Sequence, residues 1–168
     1  MTNKNNIGEI IGAWWFAYLY PDSQNRAAIG IRARIRRADQ TGILCEPAVH
    51  LLANSLQIAP TNTDKVVRFI NMVAVLSEIT LPTDQRLAAR LGSNQSNDDS
   101  FRPLLSPGRF EKIIRAEDTE LPTLLRRAII ASGQQCNVAA LGNDLMFWGV
   151  GNTKNEWCFQ YFRNHSAN

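Results

Sequence analysis

A chain of 168 residues, 45% hydrophobic and 20% charged, has the length and composition of a folded domain and excludes a disordered tail. Its net charge is +3, with arginine outnumbering lysine 14 to 4, a balance compatible with an acidic partner without proving one. Cys45, Cys136 and Cys158 lack any CxxC spacing, which argues against a disulfide framework or a zinc site and for a reducing cytoplasm, with Cys136 and Cys158 as packed thiols.

Residues 1 to 6 are polar and expected to fray. Ile7, Ile11, Trp14, Trp15, Tyr18 and Leu19 then recur at i, i+3/i+4, i+7, an amphipathic helix ended by Pro21. This run is too short to span a bilayer, is interrupted by Glu9 and lacks a signal-peptide cleavage site, so a soluble intracellular protein with no membrane contact is expected. The adjacent tryptophans invite a base-stacking role, but core packing is the commoner use of such a pair. Asp22 or Ser23 caps a short turn, and Gly30 divides that turn from the next helix.

That helix, Gly30 to Ala38, reads GIRARIRRA. At about 100° per residue, Ile31, Ile35 and Ala38 share one narrow stripe, with Arg32 and Arg36 beside it and Arg34 and Arg37 on the far side. With Arg26, five arginines and no acid fall between residues 23 and 38, more than the whole excess charge of the chain. Like charges at i, i+4 repel, so this crowding does not serve helix stability. It reads either as a solvated helix face or as a phosphate-binding surface; the planar guanidinium fork favours the second.

Further on, Pro47 sits at the first turn of a helix carrying Val49, Leu51, Leu52 and Leu56. Pro60 and the run Thr61-Asn62-Thr63-Asp64 end it and cap a helix from Lys65 to Ile79, which buries Val66, Phe69, Ile70, Val73 and Leu76. Leu81-Pro82 breaks the chain, and Asp84 starts a short helix with Leu87, Ala88 and Leu91. From Gly92 to Ser100 the sequence GSNQSNDDS holds no hydrophobe and reads as a flexible loop. The expected organisation is an N-terminal helical lobe over 1–92, a polar loop over 93–100 and a C-terminal helical lobe over 101–168.

In that second stretch, Ser106-Pro107 opens a helix with Phe110, Ile113 and Ile114 inward and Arg109, Lys112 and Arg115 outward. After Asp118-Thr119, the next places Leu121, Leu124, Leu125, Ala128 and Ile129 inside and Arg126-Arg127 outside. Asn137 caps a helix carrying Val138, Leu141, Leu145 and Trp148, which Gly149 and Gly151 end. Asn152 or Thr153 starts a last helix with Trp157, Tyr161 and Phe162. No period-2 run is bounded by hairpin turns, so no sheet is expected. The predicted fold is all-α, a bundle of roughly eight helices forming one domain or two packed lobes.

Reactive constellations are scarce. His50 follows Cys45 at i+5 across Pro47, which forms neither a metal-ligand spacing nor a nucleophile–base pair. His165 lies in a polar C-terminal tail and reads as disordered. The acidic clusters Asp98-Asp99 and Glu117-Asp118-Glu120 fall in the loop and at a helix junction, and glycine-rich phosphate loops are absent. No catalytic residue, metal ligand or cofactor is expected, so the chain does not read as an enzyme. What recurs is outward basic side chains on apolar helices: 32, 34, 36 and 37, then 109, 112 and 115, then 126 and 127. Aligned, these faces form a basic track of the kind that holds nucleic-acid backbone without reading sequence. No helix-turn-helix or zinc module for base reading is evident.

Taken together, the tryptophan-bearing first helix, GIRARIRRA, the Pro47-Ala48 helix start, Arg90-Leu91, RFEKIIRAED (Arg109 to Asp118), LLRRAI (Leu124 to Ile129) and the helix end Leu145 to Trp148 resemble the CasB family. These are the small subunits of the type I-E CRISPR surveillance complex, Cascade. The resemblance runs from about residue 7 to 163. It implies an all-α, non-catalytic, cytoplasmic subunit present in two copies, which contacts other Cascade subunits and its own second copy. It also implies antiviral defence through stabilising the R-loop formed by guide RNA, target DNA and the displaced DNA strand. The nucleic-acid-binding positions carried over by motif are Arg36, Arg37, Arg90, Arg109, Arg115, Arg126 and Arg127; the face pattern adds Arg32. One departure is that relatives often carry a basic cluster where this chain reads GVGNTKNEW, with Lys154 alone. A different reading is a helical protein-interaction adaptor whose basic face meets acidic partners, and a third is an enzyme using Cys45 and His50.

Overall fold

The computed structural model describes residues 4–97, 100–163 and 165; residues 1–3, within the segment expected to fray, and the acidic pair Asp98-Asp99 lie outside the described residues. The helices are α1 (Lys4–Tyr18), α2 (Arg26–Arg37), α3 (Gln40–Leu44), α4 (Pro47–Ser55), α5 (Thr63–Leu76), α6 (Leu87–Leu91), α7 (Pro107–Arg115), α8 (Leu121–Ala131), α9 (Val138–Met146) and α10 (Thr153–Phe162). Two strands, β1 (Leu81–Pro82) and β2 (Gln135–Cys136), pair in parallel with Leu81 opposite Gln135 and Pro82 opposite Cys136. The fold is all-α, as its periodicity predicts. The small sheet is a correction to the expectation of none: two-residue strands are too short to show any period.

At the centre lies α5. Its sequence from Phe69 to Leu76, FINMVAVL, is buried on every side, as a helix surrounded by others must be. Asn62 caps it by accepting the Lys65 amide at 3.1 Å. The buried Asn71 among these apolar residues is satisfied by donating to the Asp118 carbonyl at 2.9 Å. Trp14 and Trp15 belong to the core: their indole N–H groups donate to the carbonyls of Ala48 at 2.8 Å and Leu76 at 3.0 Å. Each such ring contributes about 2–3 kcal/mol or more by burial alone.

Helix α1 packs along α9, and the approach is close because Gly142 leaves room: a Cβ there would stand 2.5 Å from Cγ2 of Ile11. Helix α10 packs on α6 through Gly92, whose missing side chain admits the Tyr161 backbone. Tyr161 in turn stacks on Phe110 at 3.9 Å between centroids and donates its hydroxyl to the Leu105 carbonyl. Side chains from both sides of the 93–100 loop, Ile11 through Tyr161, form a single buried cluster. The described part of the loop is itself bonded, with the Gln95 amide donating to Arg102 O at 2.8 Å and Leu104 to Ser93 O at 3.1 Å.

Local differences from the expected elements have simple causes. Gly30 does not divide two elements: α2 runs through it from an Asn25 cap, because Asn25 Oδ1 accepts the Ala28 amide at 3.1 Å. Leu51, expected with the apolar face of α4, is exposed. His165 packs its ring on Phe101 at 4.2 Å and near Tyr161 and Phe162, so the reading of it as a disordered tail residue is corrected. Among the described residues, no helix is long and apolar enough to cross a membrane.

Candidate nucleic-acid interface

The arginines expected to form one outward track divide into two groups. The first group faces inward onto Glu78, which follows the C-terminal end of α5 and whose side chain is only 3% exposed. Arg126 on α8 donates to Glu78 Oε1 from Nε at 2.9 Å and from Nη2 at 2.6 Å. Arg36 on α2 places Nη2 3.1 Å from Glu78 Oε2. Arg126 Nη2 also donates to the Arg36 carbonyl at 2.8 Å, and Arg32 Nη2 meets the Glu78 carbonyl at 3.4 Å. Three guanidiniums therefore converge on Glu78, two on its carboxylate and one on its carbonyl, where α2, α5 and α8 meet.

Electrostatics at this junction follow from burial and pairing. Burial pushes the Glu78 carboxyl up, but the hydrogen bonds and charges of Arg126 and Arg36 outweigh it and hold the group below its ordinary range. Arg32, by contrast, is pushed down by burial and by the neighbouring Arg36 charge, with Glu78 opposing. Arg34 pairs elsewhere, with Nε 2.8 Å and Nη2 3.0 Å from the two Glu46 oxygens; that hydrogen bond and charge raise its pKa.

Arginine also closes helix ends. Arg90 Nε donates to the carbonyl of Ser132, the C-cap of α8, at 2.7 Å. Arg68 Nε donates at 3.0 Å to Met146 O, the last residue of α9. A cation there satisfies a carbonyl with no helical partner and complements the helix dipole. The outward placement expected of Arg32, Arg36 and Arg126 is thus corrected to intramolecular contacts, and Arg90 makes one as well. Burial of a carboxylate and of helix ends drew these side chains in.

The second group is displayed. Arg37, Arg109, Lys112 and Arg127 are exposed and make no side-chain hydrogen bond or ion pair with the described residues. Pro107 starts α7 after Ser106, and Phe110 and Ile113 dock it on the core, which leaves Arg109, Lys112 and Arg115 along its outer side at i, i+3, i+6. Helix α8 docks through Leu121, Leu125, Ala128 and Ile129 and presents Arg127. Between α7 and α8 runs an open groove of about 800 Å³ lined by Lys112, Arg115 and Arg127 together with Glu111 and Glu120. A second concavity of about 340 Å³, on the other flank of Lys112 and Arg127, adds Arg109 over the apolar floor of Leu105, Ile113 and Leu124. Arg115 is 78% exposed and holds Glu111 at 2.7 Å within its own helix, a contact that water and salt weaken readily.

Of the eight predicted positions, then, Arg115 and Arg127 line the groove, Arg109 and Arg127 line the adjoining concavity, and Arg37 lies one residue beyond the junction with α8. Lys112 joins them. Glu78 is the residue that sequence reasoning missed. Its only signal is an acid at the end of an otherwise apolar run, which becomes meaningful once the two Arg-Arg pairs are seen to need a counter-charge.

Among the described residues, the cysteines and His50 stand apart from this surface. Cys136 is fully buried, and burial, against the opposing charge of Arg90, pushes its thiol up to about 12. Cys45 is exposed, and His50 turns Nε2 to the Leu44 carbonyl. Among the described residues, no three His, Cys, Asp or Glu side chains are placed to hold a metal ion. Comparison with protein-family models, curated proteins and solved structures finds no match to this chain.

Proposed function

We propose that this protein is a non-catalytic, cytoplasmic helical subunit that holds nucleic-acid backbone on the groove between α7 and α8. The observation that carries the reading is the set of Lys112, Arg115 and Arg127 on that groove, with Arg109 beside Lys112 and Arg127 in the adjoining concavity; Arg109, Lys112 and Arg127 make no side-chain bond with the described residues. Cations without protein partners, spaced along a concave surface, suit phosphates that can release their counterions. Such contacts carry no base information, so binding is independent of sequence and falls steeply with salt.

On its arginine motifs, which resemble those of the CasB family, the protein is proposed as a small subunit of the type I-E Cascade complex, acting in antiviral defence. There, R-loop formation is a near-balanced exchange of duplexes, and a few backbone contacts tip it. The partners in this reading are the guide RNA–target DNA R-loop with its displaced strand, the other Cascade subunits and a second copy of the chain. Protein neighbours need apolar contact as well, and α10 offers Phe159, which is 80% exposed, while α1 offers the exposed Phe16.

The test is R-loop stability in a reconstituted Cascade complex carrying wild-type protein or Arg37→Ala/Arg109→Ala/Arg127→Ala. A selective loss of R-loop lifetime with intact assembly supports the reading. An unchanged lifetime overturns it, and binding to an acidic protein surface without binding to generic single-stranded DNA would favour the adaptor role instead.

A further inference from the structure

Two Arg-Arg pairs, 36–37 and 126–127, meet at the junction of α2 and α8, and each is split the same way. The first member turns onto buried Glu78, while the second is exposed and makes no side-chain bond with the described residues. The two inner arginines are also tied to each other, since Arg126 Nη2 donates to the Arg36 carbonyl at 2.8 Å. Glu78 is fixed from its other side too: its carbonyl accepts from Gln134 Nε2 at 3.0 Å and from Arg32 Nη2 at 3.4 Å. This carboxylate is therefore the common anchor of two helices far apart in sequence.

We propose that Glu78 is the positioning residue of the basic surface, holding the C-terminal end of α2 against the middle of α8 in a register that keeps Arg37 and Arg127 on one face. Consecutive helical residues point about 100° apart, so fixing the first arginine of a pair fixes the direction of the second. Without the carboxylate, Arg32, Arg36 and Arg126 are three like charges at close range with no common counter-charge, and the two helices separate. For its consequence in binding, this inference rests on the nucleic-acid reading above.

The proposal makes a prediction opposite in sign to simple charge counting. Replacing Glu78 with glutamine deletes a negative charge beside the basic surface, which by itself tightens polyanion binding and steepens its salt dependence. If Glu78 positions Arg37 and Arg127, Glu78→Gln instead weakens binding roughly tenfold and lowers the slope of log K against log salt by about one to two contacts. The probe is a fluorescent oligothymidylate titrated with the full chain across a salt series, with circular dichroism melting as the check on folding. Tighter binding and a steeper slope overturn the proposal.

A gentler second variant, Arg126→Lys, keeps the net charge but loses the planar Nε–Nη2 fork that grips Glu78 Oε1 with two bonds. It is expected to weaken binding in the same direction, and wild-type binding overturns the proposal. A readout without nucleic acid separates the two levels of inference. Spin labels at Ala27→Cys and Thr123→Cys, in a Cys45→Ser/Cys158→Ser background, should give a narrow α2–α8 distance distribution that Glu78→Gln broadens. An unchanged narrow distribution overturns the positioning role. If the wild-type chain fails to bind oligothymidylate at low salt while the distribution does broaden, the nucleic-acid reading fails and the anchor stands.

Discussion

Arg126 grips Glu78 with two nitrogens, Nε at 2.9 Å and Nη2 at 2.6 Å, and the same Nη2 holds the Arg36 carbonyl at 2.8 Å. Arg127, its neighbour in sequence, makes no such bond and lines the groove beside α7. One helical step separates a side chain that holds the fold from one that is free to hold a ligand.

The two arginines should therefore fail differently. Arg126→Ala leaves a carboxylate that is 3% exposed short of its principal partner, and is expected to cost about 2–3 kcal/mol in urea unfolding. Arg127→Ala should stay within about 0.5 kcal/mol of wild type while weakening oligonucleotide binding. Equal stabilities for the two variants would show that the Glu78 junction contributes nothing net.

The Glu78 junction also sets an acid limit. Its carboxyl is held below the ordinary range when folded, so the unfolded chain takes up its proton at higher pH than the folded one. The stabilisation is thus fully present above the ordinary unfolded value of about 4.3 and is lost as pH falls through the lower folded value. Melting temperature followed from pH 6 to pH 2 should fall less steeply, below about pH 4, in Glu78→Gln than in wild type. Parallel curves would contradict the pairing.

Gly92→Ala tests how α10 is seated. The glycine backbone is in the ordinary right-handed region, φ −87° and ψ −2°, so conformation does not demand glycine there. Space does: an added Cβ collides with the Tyr161 carbonyl, which is backbone and cannot swing aside. The expected cost is about 3 kcal/mol, with the Tyr161–Phe110 stack disturbed and visible in near-ultraviolet dichroism. A variant as stable as wild type would mean that α6 and α10 sit farther apart than described.

Thiol chemistry should follow burial. Cys45 is exposed and reacts quickly with an aromatic disulfide reagent at pH 8, whereas buried Cys136, its pKa raised to about 12, reacts only on unfolding. Rapid modification of all three cysteines in the native protein would contradict the packing of β2.

Much of the fold was legible in the sequence because helix faces repeat every three or four residues. The burial of Trp14, Trp15, Phe69, Phe110 and Trp157, the Pro47 and Pro107 helix starts and the Asn62 and Asn137 caps all follow from local spacing. Two-residue strands and a helix running through Gly30 are not legible in the same way. The first is set by pairing with distant chain, and the second by neighbours that outweigh a weak local preference.

For the candidate site, periodicity selected Arg109, Lys112, Arg115 and Arg127 correctly as outward side chains. It failed at Arg126, whose partner lies 48 residues away in sequence; Arg90, carried over by the family resemblance rather than by periodicity, bonds a carbonyl 42 residues away. By itself, the sequence determined the helices, their apolar faces and where cations crowd, since these depend on neighbours within one turn. Only the tertiary structure decided which cations are spent inside the molecule, because a long guanidinium side chain bonds to whatever buried carboxylate or helix end the packing brings within reach.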